Sequence, residues 1–126
     1  MSFKYKTVGK KNPRELQAAP KYYANPVYGN TITLRGIANE ISEICAVNTP
    51  DTMAVLEAFI RVIPKQMAQG NIVKLGDLGT FRANLVSEPT TEEIKFDATH
   101  IKDVKVLFRP GKEFVNNLRG ITFEKD

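Results

Sequence analysis

Val73-Lys74-Leu75-Gly76-Asp77-Leu78-Gly79-Thr80-Phe81-Arg82 is the stretch that decides the fold. Val73 and Leu75 fall on one side of an extended chain and Lys74 on the other. After the two glycines, Phe81, Ala83 and Leu85 alternate with Thr80, Arg82 and Asn84. Period-two alternation on both arms of a glycine-bracketed corner predicts a β-hairpin, because successive strand side chains point to opposite faces. Gly76 and Gly79 allow the backbone angles that a tight corner needs. One face of the sheet is then apolar and the other cationic.

Working downstream, residues 87–103 form a polar excursion containing Pro89, expected as a β-arm. Residues 104–109 alternate again, with Val104, Val106 and Phe108 inward and Lys105, Leu107 and Arg109 outward. That predicts a third strand of the same sheet. Arg109-Pro110-Gly111-Lys112 then opens a short helix ending near Gly120, and residues 121–124 suit a last short strand.

Upstream, Thr33 is a predicted N-cap before an apolar stripe of Leu34, Ile37, Ala38, Ile41, Ile44 and Cys45 at spacings of three and four. Thr49-Pro50-Asp51 predicts the restart of a second helix, with Thr49 as its cap and Gly70 as its stop. Its apolar rows, Leu56/Ile60/Ile63/Met67 and Val55/Phe59/Val62, are wider than one short helix can cover, which predicts contact with the first helix, the sheet and a second subunit together. Pro64 is expected to kink or split this helix. Before it, residues 3–8 alternate aromatics with lysines and predict a strand. Residues 9–20 are a loop, and residues 21–28 could form a second strand confined to a sheet edge by Pro26.

The chain has 126 residues and 42% hydrophobic content, enough for one domain with an extension but for a small core. Its net charge of +4 permits an anionic partner. The excess is N-terminal: up to Arg35 there are seven basic residues against Glu15 alone, whereas from Lys74 onward nine bases face nine acids. One cysteine excludes an intrachain disulfide framework and fits a reducing compartment. With neither a leader-like apolar region nor a membrane-spanning run, the expected location is the cytoplasm.

Two constellations suit an anion. Lys74, Arg82, Lys105 and Arg109 share the outer face of the three strands, with no acid at those strands' outer positions. Cations so arranged can neutralise phosphates. Arg109, Gly111 and Lys112 surround a helix start, where free amides favour negative charge. Catalysis finds no set of residues. His100 is the only histidine and reads as a solvated loop residue, while Cys45 reads as a buried small hydrophobe. One His and one Cys do not make a zinc site, and Glu92, Glu93 and Asp97 lack apolar walls to tune a pKa. The expectation is a non-enzyme with no metal, cofactor or small-molecule substrate.

The order of elements, with Leu75-Gly76-Asp77-Leu78-Gly79-Thr80-Phe81 and Phe108-Arg109-Pro110-Gly111-Lys112-Glu113, resembles the HU/IHF family of bacterial histone-like DNA-binding proteins. It is most similar to the extended HU-related proteins of Bacteroidetes, which carry a lysine/aromatic segment like residues 3–28 and an Arg-Pro-Gly-Lys-Glu turn. The resemblance implies an α+β fold of the HU/IHF type. A helical base would carry a three-stranded antiparallel sheet with a protruding β-arm, in an intertwined homodimer with an N-terminal β extension. It divides the chain into an extension (residues 1–32), an HU-like domain (33–120, arm 87–103) and a tail (121–126).

It also implies a nucleoid-associated protein binding double-stranded DNA largely without sequence preference, through Lys74, Arg82, Arg109 and Lys112, to which Lys105 is added by its position on the same face and Gly111 by its place in the turn. The lysine-rich N-terminus could add contacts. The arm departs from the pattern. It lacks a Gly-Arg-Asn-Pro tip, and its two bases against five acids leave it at −3. The alternative expectation is therefore an HU-like dimeric scaffold with weak DNA binding.

Overall fold

A computed structural model describes residues 2–15 and 17–126. The elements run β1 (Ser2–Lys10), β2 (Lys21–Val27), α1 (Leu34–Ile44), α2 (Thr49–Ala68), β3 (Val73–Lys74), β4 (Gly79–Ser87), β5 (Ile101–Pro110), α3 (Lys112–Arg119) and β6 (Thr122–Lys125). The chain divides into two compact units, residues 1–31 with 116–126, and residues 32–115.

In the larger unit, α1 begins where Thr33 Oγ1 accepts the Gly36 N–H at 3.2 Å, as the sequence predicts. It stops at Ile44. Cys45 is the C-cap in extended conformation and is exposed, so it is not the buried hydrophobe expected of it. Leaving the helix takes its side chain off the apolar stripe. The cap of α2 is Asn48 rather than Thr49: Asn48 Oδ1 accepts the Asp51 N–H at 2.9 Å, and Thr49 and Pro50 already lie in the first turn. Pro64 sits inside a single unbroken α2. At the other end, Gly70 (φ 83°) turns the chain. Its N–H donates to Met67 O at 2.9 Å and the Asn71 N–H donates to Gln66 O at 3.2 Å, the paired bonds of a Schellman stop.

The sheet of this unit is antiparallel in the order β3-β4-β5. Phe81 opposes Val73 on one side and Phe108 on the other, and Ala83 opposes Val106, so the apolar residues share one face. The Phe81 and Phe108 rings lie 4.6 Å apart between centroids. β5 starts at Ile101, earlier than the expected residue 104, which reduces the excursion to residues 88–100. Those residues do not continue as a ribbon; they fold into two 3-10 turns, Glu93–Lys95 and Ala98–His100.

Little of this surface is covered. Among the described residues only Ala38 and Met67 are buried apolar side chains, with Thr52 the buried polar one. α2 and the apolar sheet face flank an open groove of ≈ 380 Å³ lined by Ile63, Pro64, Met67, Phe81, Val104 and Val106, among others.

The smaller unit is a sheet in the order β2-β1-β6. β2 is antiparallel to β1 and lies at an edge, as Pro26 requires. β6 is parallel to β1, with Phe3 beside Phe123. Parallel pairing between the first and last strands has no local signature in the sequence.

Asn48→Ala should cost about 1 kcal/mol by removing the α2 cap, whereas Thr49→Ala should leave that cap intact. Chemical denaturation of the two variants checks the assignment.

Candidate nucleic-acid interface

Strand register brings the outer-face cations together. Lys74, Thr80 and Arg109 form one row across the three strands. Arg82 and Leu107 form the next, then Asn84 and Lys105, then Val86 and Asp103. With strands about 4.8 Å apart and residues about 3.4 Å apart along each strand, Lys74, Arg82, Lys105 and Arg109 span a patch of about 10 by 14 Å. All four are exposed, and none joins an ion pair among the described residues. Asp103 is a finding the sequence pattern missed. Because β5 begins at Ile101, this carboxylate lies on the same face at its far end. The face is therefore cationic near the corner and acidic toward the excursion.

The corner and the β5–α3 turn are clamped together. The Gly111 N–H donates to Leu78 O at 3.0 Å, and a Cβ on Gly111 would meet Asp77 O at 2.1 Å. Gly79 (φ 144°) lies under Phe108, where a Cβ would come within 2.8 Å of the ring. The close approach that glycine permits is thus between two parts of the chain. The Gly111 amide is committed, and Gly111 acts by holding Arg109 and Lys112 beside the hairpin. Lys112 is the exposed first residue of α3.

The excursion has its own order. Asp97 caps the second 3-10 turn through the Thr99 N–H at 2.9 Å and also accepts the Thr99 hydroxyl. The Asp97 N–H donates to His100 Nδ1 at 3.3 Å, completing a capping box. The His100 ring stacks on Phe96 at 5.2 Å, so His100 is a packed element of this tip and not the solvated residue the sequence suggests. Its side chain is 29% exposed. Lys102–Glu88 and Lys95–Glu92 ion pairs, each at 3.5 Å, add surface contacts worth little individually. The two hydrogen bonds from Thr99, hydroxyl and N–H, hold the Asp97 carboxyl below its ordinary range.

No group of His, Cys, Asp and Glu among the described residues could hold a metal ion. No helix of the described residues is long and apolar enough to cross a membrane.

Fold and site together define an α+β architecture in which α2, packed on α1, backs a glycine-cornered sheet with a cationic outer face. Over residues 1–125 the sequence matches the HU-HIG family, described as an HU domain fused to wHTH, Ig, or glycine-rich motif, and the chain belongs to that family. Among solved structures it is similar to a Bacteroides vulgatus protein provisionally described as a bacterial DNA-binding protein, with a TM-score of 0.70 and 13% identity. The match covers 98% of this chain and 48% of that one, so the chain spans about half the length of that structure. No curated protein matches.

Gly111→Ala should destabilise the larger unit by about 1–3 kcal/mol through the forced clash with Asp77, read as a lowered melting temperature; an unchanged melting temperature would refute the clamp. For the tip, a depressed Asp97 pKa means stabilisation that is present at neutral pH and lost as pH falls through the lowered value. The Thr99 amide should therefore lose hydrogen-exchange protection on acidification below about pH 4, and Asp97→Asn should lose that protection at neutral pH.

Proposed function

We propose that this protein is a dimeric, HU-like, non-enzymatic DNA-binding protein that contacts duplex phosphates with little regard to sequence, as a nucleoid-associated protein of the bacterial cytoplasm. The observation that carries the proposal is the row-by-row register that puts Lys74, Arg82, Lys105 and Arg109 on one exposed face, with Lys112 held beside it. Membership of an HU-domain family supports it, and the Bacteroides protein of similar fold adds weight. Lys and Arg on a sheet neutralise phosphates without presenting a base-reading helix, so affinity comes from counterion release.

The second subunit is supported by the uncovered apolar surface. Val104 and Val106 are 54% and 65% exposed although they line the face that α2 backs. A second copy laid on that groove would supply the missing core.

A second reading is a dimeric scaffold that binds DNA weakly. It is favoured by Asp103 at the end of the cationic face and by the acidic tip, which a duplex would repel.

Duplex affinity should fall steeply with salt. Arg82→Glu combined with Arg109→Glu should weaken binding at least tenfold at equal salt, and equally for unrelated sequences; unchanged affinity in a folded protein would favour the scaffold reading. Light scattering at micromolar concentration should give twice the 14.1 kDa chain mass, and a monomeric mass would refute the dimer.

A further inference from the structure

We propose that the smaller unit carries a second duplex-binding surface, the lysine face of its sheet, made by Lys4, Lys6 and Lys10 of β1 and Lys21 of β2. The proposal rests on the DNA-binding reading above and adds a separate place of contact to it.

Register again defines the face. The β1–β2 pairs Lys4/Val27, Lys6/Asn25, Val8/Tyr23 and Lys10/Lys21 lie on one side of the sheet. The other side holds Phe3, Tyr5, Tyr22 and Phe123, with Lys125 beside Tyr5, so four lysines share the first side with one aromatic, Tyr23. Lys10 and Lys21 are directly opposed. Like charges facing each other across a ladder destabilise a sheet, so this arrangement has a structural cost that an anion would relieve. Lys10 Nζ rests 5.7 Å from the centre of the Tyr23 ring, which holds the ammonium at the surface of the face. Around the hairpin end, Lys10, Lys11 and Lys21 border a concavity of ≈ 460 Å³ with Asn12, Tyr23 and one acid, Glu15. Two acids lie near Lys4: Glu124, paired beside it and accepting the Ser2 hydroxyl at 2.8 Å, and Asp126, whose N–H donates to Tyr5 O at 2.8 Å and which borders a concavity with Lys4.

The charge balance identifies the partner. Residues 1–31 with 116–126 carry eight Lys or Arg against three Asp or Glu, a net +5, while residues 32–115 carry ten against eleven, a net −1. The chain's whole positive excess is therefore in the unit without the HU-type hairpin. A linear array of lysines on a strand suits a regular polyanion, and duplex DNA is the one that the cationic face of the other unit also fits. Spread over two surfaces, the contacts would compensate for the −1 balance of the larger unit.

The test uses the full chain, a labelled random-sequence duplex and a potassium chloride series read by fluorescence anisotropy. Replacing Lys4, Lys6, Lys10 and Lys21 together by Gln should lower the magnitude of the slope of log affinity against log salt by about 3–4, near 0.9 for each lost phosphate contact. The matching four-Arg variant should keep the slope, which separates lost charge from a damaged fold. An unchanged slope in the Gln variant, where Arg82→Glu with Arg109→Glu does lower it, would overturn the inference and leave the DNA-binding reading standing. A lowered slope in the Gln variant alone would support the inference and remove the larger unit's face from the interface. Absence of duplex binding by the unaltered chain would overturn both. Loss of binding to phosphatidylserine vesicles with an unchanged duplex slope would also overturn it, in favour of a lipid surface.

Discussion

The Gly111 N–H to Leu78 O hydrogen bond, with Asp77 O packed where a Gly111 side chain would be, joins the hairpin corner to the turn after β5. The position of the corner against the start of α3 depends on that closure, while the β4–β5 ladder sets the rows of the cationic face. β3 is only Val73–Lys74 and could not set the sheet's geometry alone. Held at the corner, it places Lys74 in one row with Thr80 and Arg109. The same clamp brings Lys112 beside Arg109. A backbone contact that only glycine permits thus keeps the β5–α3 turn against the hairpin corner.

A second constraint is apolar area. Hydrophobic burial is the main favourable contribution to folding, and here it is largely unspent: Ala38 and Met67 are the buried apolar side chains among the described residues. The groove between α2 and the sheet is apolar on both sides. The proposed second copy follows from this imbalance, and it would bring two cationic faces into one particle. Avidity for a long polyanion would then rise without new residues.

The two units divide the electrostatics unequally. The larger has the HU-type sheet yet is slightly acidic overall, because residues 88–100 and Asp103 offset its cations. Its tip is ordered by Asp97, Thr99, His100 and Phe96, which satisfy one another. Such a tip has no basic surplus to offer the minor groove. The proposed contact with DNA would fall to the sheet faces, one in each unit.

Much was legible in the sequence because it is local. The Gly76/Gly79 corner, the alternation of both sheet faces, the Thr33 cap and the Gly70 stop each follow from neighbouring residues and backbone sterics. The four strand cations were legible for the same reason: alternation alone assigns a face. Asn48 displaced Thr49 as a cap because two adjacent residues could both fill that role, and only the path of the chain chooses. Cys45 left the apolar stripe because α1 ended one residue before it.

Tertiary structure alone decided the rest. The early start of β5 put Asp103 on the cationic face, the Gly111 clamp committed an amide that looked free, and parallel pairing of β6 with β1 closed the smaller sheet. Each of these depends on contacts between residues distant in the chain, whose loop-closure cost and packing are not written in any local pattern.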